Sequence, residues 1–372
     1  MTASPFMQRA LEAARAVRGT TSPNPWVGSV AVRGTEIVAV GATSPPGGPH
    51  AEAAAIGAAG GLVDTLYVTL EPCAAFPGKR TPPCSDAIIA AGIRRVVVAV
   101  EDPDPGVRGA GIASLRAAGI DVEVGDGRDD ALELLAPYIH HRHTGRPYVI
   151  AKFAASLDGH TATSTGDSRW ITGELARDRG HRERAWVDAV MVGSGTVLAD
   201  DPALTARPGG EEAARQPVRV VLDSRGRTPP TARVLHGPGH AIIATTAAAP
   251  AAWRHEIAAT GAHVVDCESA PAGLNLDQLL TALGARGIMS IWAEGGPTLL
   301  GSLFDGGHAN ELWAFIAPII IGGPSGAAVG GQGARFVAEA WRLRAPEVER
   351  LGEDLLVRGP CGEWSPYNRH SS

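Results

Sequence analysis

Hydrophobic and polar positions follow two rhythms along this chain. Over residues 6–18 the apolar positions recur at helical spacing, and FMQRALEAARAV reads as an amphipathic helix. SVAV (29–32) is a short strand, and Arg33-Gly34-Thr35 turns it back into EIVAVG as a hairpin. HAEAAAIGAA (50–59) is alanine-rich and helical. LYVTL (66–70), RRVVVAV (94–100) and DVEVG (121–125) read as strands. Between them CSDAIIAAG (84–92), ended by Gly92, and GIASLRAAGI (111–120) read as helices. DDALELLAPYIHHRHTG is helical until Gly145 and Pro147 break it, which puts a domain boundary near 141–147.

A second run opens with the strand YVIAKFAAS at 148 and a basic, polar helix near 174–186. DAVMVGSGTVLADDP (188–202) reads as a strand, a turn and a polar loop. PVRVVLDS (217–224), AIIATT (241–246) and HVVDC (263–267) are strands, and LDQLLTALGARG (276–287) is a helix. IMSIWAEGG (288–296) runs from strand into a glycine turn. ELWAFIAPIIIGG (311–323) is apolar but broken by proline, and fits either a core strand or a dimer face. GGPSGAAVGGQG (322–333) reads as a mobile loop, and 341–359 as a terminal strand pair. The alternation of strands and crossover helices predicts an α/β protein, with no internal repeat and two different domains, 1–144 and 146–361.

Totals narrow the function classes. A chain of 372 residues is long for one core. A formal charge of -6 disfavours a bulk electrostatic grip on nucleic acid or anionic membrane, while allowing a local basic pocket for one phosphate. No apolar run reaches the roughly 18 residues of a membrane span. The first residues lack the basic and apolar regions of a signal peptide. Four cysteines make no disulfide scaffold, and a cytoplasmic protein is expected.

The sharpest chemistry lies in His50-Ala-Glu52, Glu71-Pro-Cys73 and Pro82-Pro83-Cys84. One imidazole and two thiolates suit zinc, and three protein ligands leave a fourth position open for catalysis. Glu52 is too close to His50 to be a convincing fourth ligand, but is well placed to carry a proton. The pattern approaches the H-x-E…P-C-x-x-C signature of zinc deaminases, except that the second cysteine lies eleven residues after Cys73. A structural zinc would want a fourth protein ligand, and Cys267 and Cys361 fall in the other domain. Unrelated core burial of the three residues is the other bland reading.

The second half is less specific from its residues alone. Lys152 lies on a strand, and Asp200 and Asp201 follow another; such Asp residues also simply cap turns. Glu294-Gly-Gly296 leads into a helix, an arrangement that can cradle a phosphate. No GxGxxG follows a strand.

PNPWVG, HAEAAA, TLEPC and TPPCSDAII resemble the N-terminal half of the bifunctional riboflavin biosynthesis deaminase–reductase family. AKFAASLDG, STGDSRWITG, RERAWVDAVMVGSGTVLADDPALTAR, PVRVVLDS, WAEGGPTLL and APIIIGG resemble its C-terminal half. The resemblance implies a cytidine-deaminase-like α/β/α domain followed by a dihydrofolate-reductase-like α/β domain. It implies zinc (Zn2+) on His50, Cys73 and Cys84, proton transfer by Glu52, and substrate contact by Asn24. In the reductase half it places NADPH on Ala154, Trp170, Thr196, Asp200, Ser224 and Gly296. It places the phosphorylated ribosylaminopyrimidine substrate on Ser168, Arg184, Leu204, Arg207 and Glu294. Lys152 and Asp200 are both candidates for the proton donor; Asp needs a raised pKa to donate at neutral pH, whereas Lys needs a modest lowering. The implied reactions are hydrolytic removal of the 2-amino group of 2,5-diamino-6-(5-phosphoribosylamino)pyrimidin-4(3H)-one, then reduction of its ribosyl group to ribityl, and a homodimer is allowed. One stretch departs from the family. CAAFPGKRTPPC is two residues longer than the usual pattern and has Ala75 near the expected histidine, with Lys79 and Arg80 as possible substitutes. A reductase that has lost deamination and a deaminase for another amino-heterocycle are the alternatives this leaves.

Overall fold

A computed structural model describes residues 3–75, 82–323 and 326–362. The chain divides into two compact units, one through Gly145 and the other from Arg146.

In the first unit a five-stranded sheet runs in the order Glu36–Ala42, Gly28–Arg33, Thr65–Val68, Arg95–Val98, Asp121–Val124. The Gly28–Arg33 strand is antiparallel to both its neighbours, and the last three strands are parallel. Parallel neighbours need crossovers, supplied by the helices Cys84–Ala90 and Ala110–Ala117. The helix Pro5–Ala16 buries Met7, Ala10, Leu11 and Ala14, the stripe its spacing predicts. Ser4 caps it, accepting from the Met7 amide, while the Ser4 hydroxyl donates to Asp126. Trp26 is fully buried, and its indole N–H donates to the Leu134 carbonyl at 2.9 Å. The helical run predicted before Gly145 is two helices, Arg128–Leu134 and Ala136–Thr144, divided where Pro137 removes a donor.

In the second unit nine strands form one sheet among the described residues: His263–Asp266, Ala241–Thr245, Val218–Leu222, Ala189–Gly193, Ser290–Ala293, Tyr148–Ser156, Glu311–Ala317, Asp354–Pro360, Glu347–Leu351. The first seven are parallel and the last two antiparallel. One face carries a continuous core of Val149, Met191, Ile291, Leu279, Leu300 and Leu303. The apolar segment at 311 is an inner strand with Trp313 and Phe315 buried; its proline falls just beyond, and the apolar Ile319 and Ile320 past it are exposed.

Two expectations need correction. Residues 194–200, read as turn and loop, form the helix Ser194–Asp200. Gly195 and Thr196 are weak helix formers, but docking at a strand end outweighs propensity over so short a helix. The glycine-rich stretch after 322 reads as a mobile loop, yet its described residues are tied down. Ala327 bridges to His160, Gly330 donates to the Pro297 carbonyl at 3.0 Å, and Gln332 donates to Asp305 at 2.6 Å. Gly330 and Gly331 pass so close to Gly301 that a side chain at Gly301 would collide with their backbone.

Candidate active sites

Three local elements converge in the first unit. His50 is the N-cap of the helix Ala51–Ala59, which puts Glu52 in its first turn. Cys73 lies past the end of strand Thr65–Val68, and Cys84 begins the helix Cys84–Ala90. His50 Nδ1 lies 3.5 Å from Cys73 Sγ and 3.4 Å from Cys84 Sγ, and the three ligand atoms lie within 4.8 Å of one another. A tetrahedral ion with metal–sulfur bonds of about 2.3 Å and metal–nitrogen bonds of about 2.0 Å sets sulfur and nitrogen ~3.5 Å apart. The spacing therefore fits such an ion. The Cys84 amide also donates to Cys73 Sγ at 3.4 Å.

Electrostatics agree with the geometry. Cys84 is pushed far up by its hydrogen bond with the Cys73 sulfur, then by burial and the Glu52 charge. Three acidic groups packed together resist ionising, and a dication reverses that preference. Glu52 is buried at 3% exposure. Its pKa is raised to about 7, first by burial and then by the Cys73 charge. Asn24 is half-buried in a turn whose backbone closes on Thr21. Ala75 is exposed; Lys79 and Arg80 lie outside the described residues.

In the second unit the carboxyl ends of the parallel strands carry the polar residues, where ligands bind in open α/β sheets. A cleft of 490 Å³ opens there, lined by Ser168, Ser194, Thr196, Asp200, Ser224, Arg227 and Gly296 among others. Gly296 caps the helix Pro297–Asp305, whose first amides and dipole favour an anion. The Arg227 guanidinium donates to Ser194 Oγ at 2.8 Å. Hydroxyls, a guanidinium and helix starts together suit a phosphorylated ligand.

A charged group lies at the ends of the neighbouring strands. Arg184 grips Glu294 through Nε and Nη2, and its Nη1 donates to the Thr205 carbonyl at 3.0 Å. Lys152 Nζ is 3.8 Å from Glu294 and 5.6 Å from the Phe315 ring centroid. Burial lowers the Lys152 pKa, with Glu294 opposing. Burial would raise the Glu294 pKa, but Arg184 and Lys152 outweigh it and hold the carboxyl low. His181 is pushed down by burial and then by the charges of Arg184 and Arg207, so the two arginines act on one region.

Residues 147–357 match the family model for the RibD C-terminal domain, and residues 1–100 match that for the cytidine and deoxycytidylate deaminase zinc-binding region. The riboflavin biosynthesis protein RibD of Bacillus amyloliquefaciens is 42% identical over 356 residues, covering 95% of this chain and 94% of the relative. This chain belongs to the bifunctional riboflavin biosynthesis deaminase–reductase family. The Escherichia coli (strain K12) RibD protein is 39% identical over 364 residues, covering 95% of this chain and 97% of the relative. The structure of Acinetobacter baumannii RibD, form 1, superposes with a TM-score of 0.85 at 36% identity, covering 96% of this chain and 98% of that one. A Thermotoga maritima diaminohydroxyphosphoribosylaminopyrimidine deaminase/5-amino-6-(5-phosphoribosylamino)uracil reductase gives 0.82 at 35% identity, with coverage of 96% and 98%. The two units are thus a cytidine-deaminase-like domain and a dihydrofolate-reductase-like domain. The enzyme is bifunctional, a deaminase and a reductase in riboflavin biosynthesis.

Against the roles the family resemblance implies, the structure distributes the reductase residues unevenly. Thr196, Asp200, Ser224 and Gly296 line the 490 Å³ cleft together, and Ser168, expected on the substrate, lines it too. Trp170 does not line it. Its ring is 70% exposed on a separate groove with Leu175 and Ile319, under the Arg177 guanidinium at 4.7 Å. Ala154 is paired with Phe315 on the strand Tyr148–Ser156, outside the lining. Leu204 is buried in the left-handed region at φ 53, beside the Thr205 carbonyl that holds Arg184. Asp200 is salt-bridged to Arg169 at 3.3 Å. Sequence reasoning missed Ser194 and Arg227. The readable signal for Arg227 was a cation just past the end of a buried strand, in DSRGR.

Proposed function

We propose that the first domain binds zinc through His50, Cys73 and Cys84 and hydrolytically deaminates a phosphorylated ribosylaminopyrimidine. The second domain then reduces the ribosyl group with NADPH to give ribityl. The observation that carries the first step is the buried Glu52 beside a two-sulfur, one-nitrogen ligand set. Zinc held with an open position supplies Lewis-acid activation of water. Glu52, buried in the first turn of the helix that His50 caps, takes a proton from water and returns it to the departing amine. Water replaces the ring amine by oxygen, and ammonia leaves.

In the second domain Ser194, Thr196, Ser224, Arg227 and the helix start at Gly296 would hold the cofactor. NADPH supplies the reducing equivalents. Three donors of Arg184 are already committed to Glu294 and Thr205, so the substrate phosphate falls mainly to Arg207. We assign the proton to Lys152, a half-buried amine beside Glu294, and leave Asp200 a lining role next to Arg169.

The test is mass spectrometry of the product formed from the diaminopyrimidine substrate without NADPH. A product in which one amine has become an oxo group, with ammonia released, supports the reading. Unchanged substrate, with NADPH oxidation intact on deaminated substrate, refutes it and leaves a reductase only. Ammonia release from a different amino-heterocycle in a small panel, with none from this substrate, refutes the substrate assignment.

A further inference from the structure

Two residues before Cys73 lies a carboxylate that touches no ligand atom. Glu71 is 3% exposed. Its charge is met by backbone amides. Oε2 accepts from Asp102 at 3.0 Å and Gly109 at 2.9 Å, while Oε1 accepts from Gly111 at 2.9 Å and Ile112 at 3.1 Å. The Glu71 amide donates in turn to the Val100 carbonyl at 2.9 Å. One side chain thus gathers the loop after strand Arg95–Val98 and the start of helix Ala110–Ala117 onto the segment that carries Cys73. The joint is tight, because a Cβ on Gly111 would collide with the Pro72 carbonyl oxygen.

We propose that Glu71 is a positioning residue for the metal site, fixing the path of Glu71-Pro72-Cys73 so that the Cys73 sulfur meets His50 and Cys84. This rests on reading the three-residue cluster as a metal site. The physical ground is tolerance. Sulfur and nitrogen at 3.5 Å match a tetrahedral edge, and a ligand set loses its preorganisation when a supporting carboxylate is removed. A helix anchored only for fold stability would make a different prediction, since the metal would then follow global stability.

The experiment uses the full chain loaded with zinc and follows transfer of the metal to a chromophoric chelator, below the melting transition of every protein compared. Glu71→Gln keeps the shape but turns an amide group toward two N–H donors. Gly111→Ala leaves the carboxylate in place and forces Pro72 away. Met7→Ala, which opens a cavity in the buried face of the first helix, serves as the stability control. Both joint variants are expected to release zinc at least ~10-fold faster than wild type, at the lower end of what disturbing the support of metal ligands costs. Met7→Ala, with an equal or larger fall in melting temperature, is expected to release it at the wild-type rate. Wild-type release from both joint variants overturns the proposal, and so does release from Met7→Ala that accelerates in step with its lost stability. A wild-type protein that holds no zinc overturns the metal-site reading itself, and the proposal with it.

Discussion

Replacing Glu294 with Gln tests the proton-donor role of Lys152. The carboxylate lies 3.8 Å from Lys152 Nζ and grips Arg184 through two nitrogens. Glutamine keeps the shape and removes the charge. At an effective dielectric of ~20, two unit charges at that distance attract by about 4 kcal/mol before screening. The side chains are 22% and 12% exposed, so solvent screening trims this, and a further drop in the Lys152 pKa is expected. The sign follows from what the anion does. Glu294 favours the protonated amine, while burial and Arg184 disfavour it; without Glu294 only the two opposing influences remain. If Lys152 donates the proton, activity requires the ammonium form and falls as pH rises through its pKa. The basic limb of kcat/KM for NADPH oxidation on deaminated substrate should therefore move to lower pH in Glu294→Gln. Lys152→Met should abolish the activity that titrates. A basic limb that stays in place in Glu294→Gln, with the protein folded and Arg184 still required, refutes Lys152 as the donor.

Other perturbations address the first domain and the substrate. Glu52→Gln should abolish ammonia release while leaving zinc bound and NADPH oxidation intact, and unchanged ammonia release would remove the role given to Glu52. Chelation of the metal should likewise stop ammonia release and spare the reductase, measured on the two substrates separately. Arg207→Ala should raise KM for the phosphorylated substrate more than it lowers kcat; an unchanged KM would move the phosphate elsewhere. Asp102 is 6% exposed, and burial raises its pKa from 3.8 to about 6 against hydrogen bonds from the Asp104 amide and the Tyr138 hydroxyl. A raised acid pKa means the folded state holds its proton longer. Stability is then greatest at low pH and lost as pH rises between about 4 and 6, by up to ~3 kcal/mol for this group. Asp102→Asn should flatten that part of the urea-melt pH profile, and a profile of unchanged slope would show that the burial is relieved in solution.

Much of the fold is legible because burial leaves a period in the sequence. The first helix shows its stripe through Met7, Ala10, Leu11 and Ala14, and the parallel strands show as short apolar runs between turns. What misleads is local chemistry overruled by context. Gly193-Ser-Gly195-Thr reads as a turn, yet it starts a helix because the strand Ala189–Gly193 delivers it to a docked position. The glycines after 322 read as slack. Their described backbone is pinned through Pro297 and Asp305, contacts between segments far apart in sequence that no local pattern announces.

The same limit explains which parts of the sites could be read. His50, Cys73 and Cys84 stand out because thiolates and imidazole are scarce and chemically specific, and Glu52 is read from its place beside His50. Carboxylates are not scarce, and an acidic residue after a strand reads equally well as a turn former. Glu71, Asp223 and Glu294 all follow buried strands, but they do different work. Glu71 accepts four backbone amides, and Asp223 accepts those of Arg227 at 2.7 Å and Thr228 at 2.6 Å; both organise chain. Glu294 instead meets two side-chain cations, Arg184 and Lys152, whose protonation and reach it controls. A carboxylate satisfied by amides is tuned to one backbone path. One satisfied by cations can exchange partners when a phosphate or a proton arrives. The distinction lies in the donors, which come from 31 to 142 positions away only after folding, or from four or five positions away around a turn whose closure the apolar pattern does not specify; chemistry is read from scarce residues and geometry from their partners.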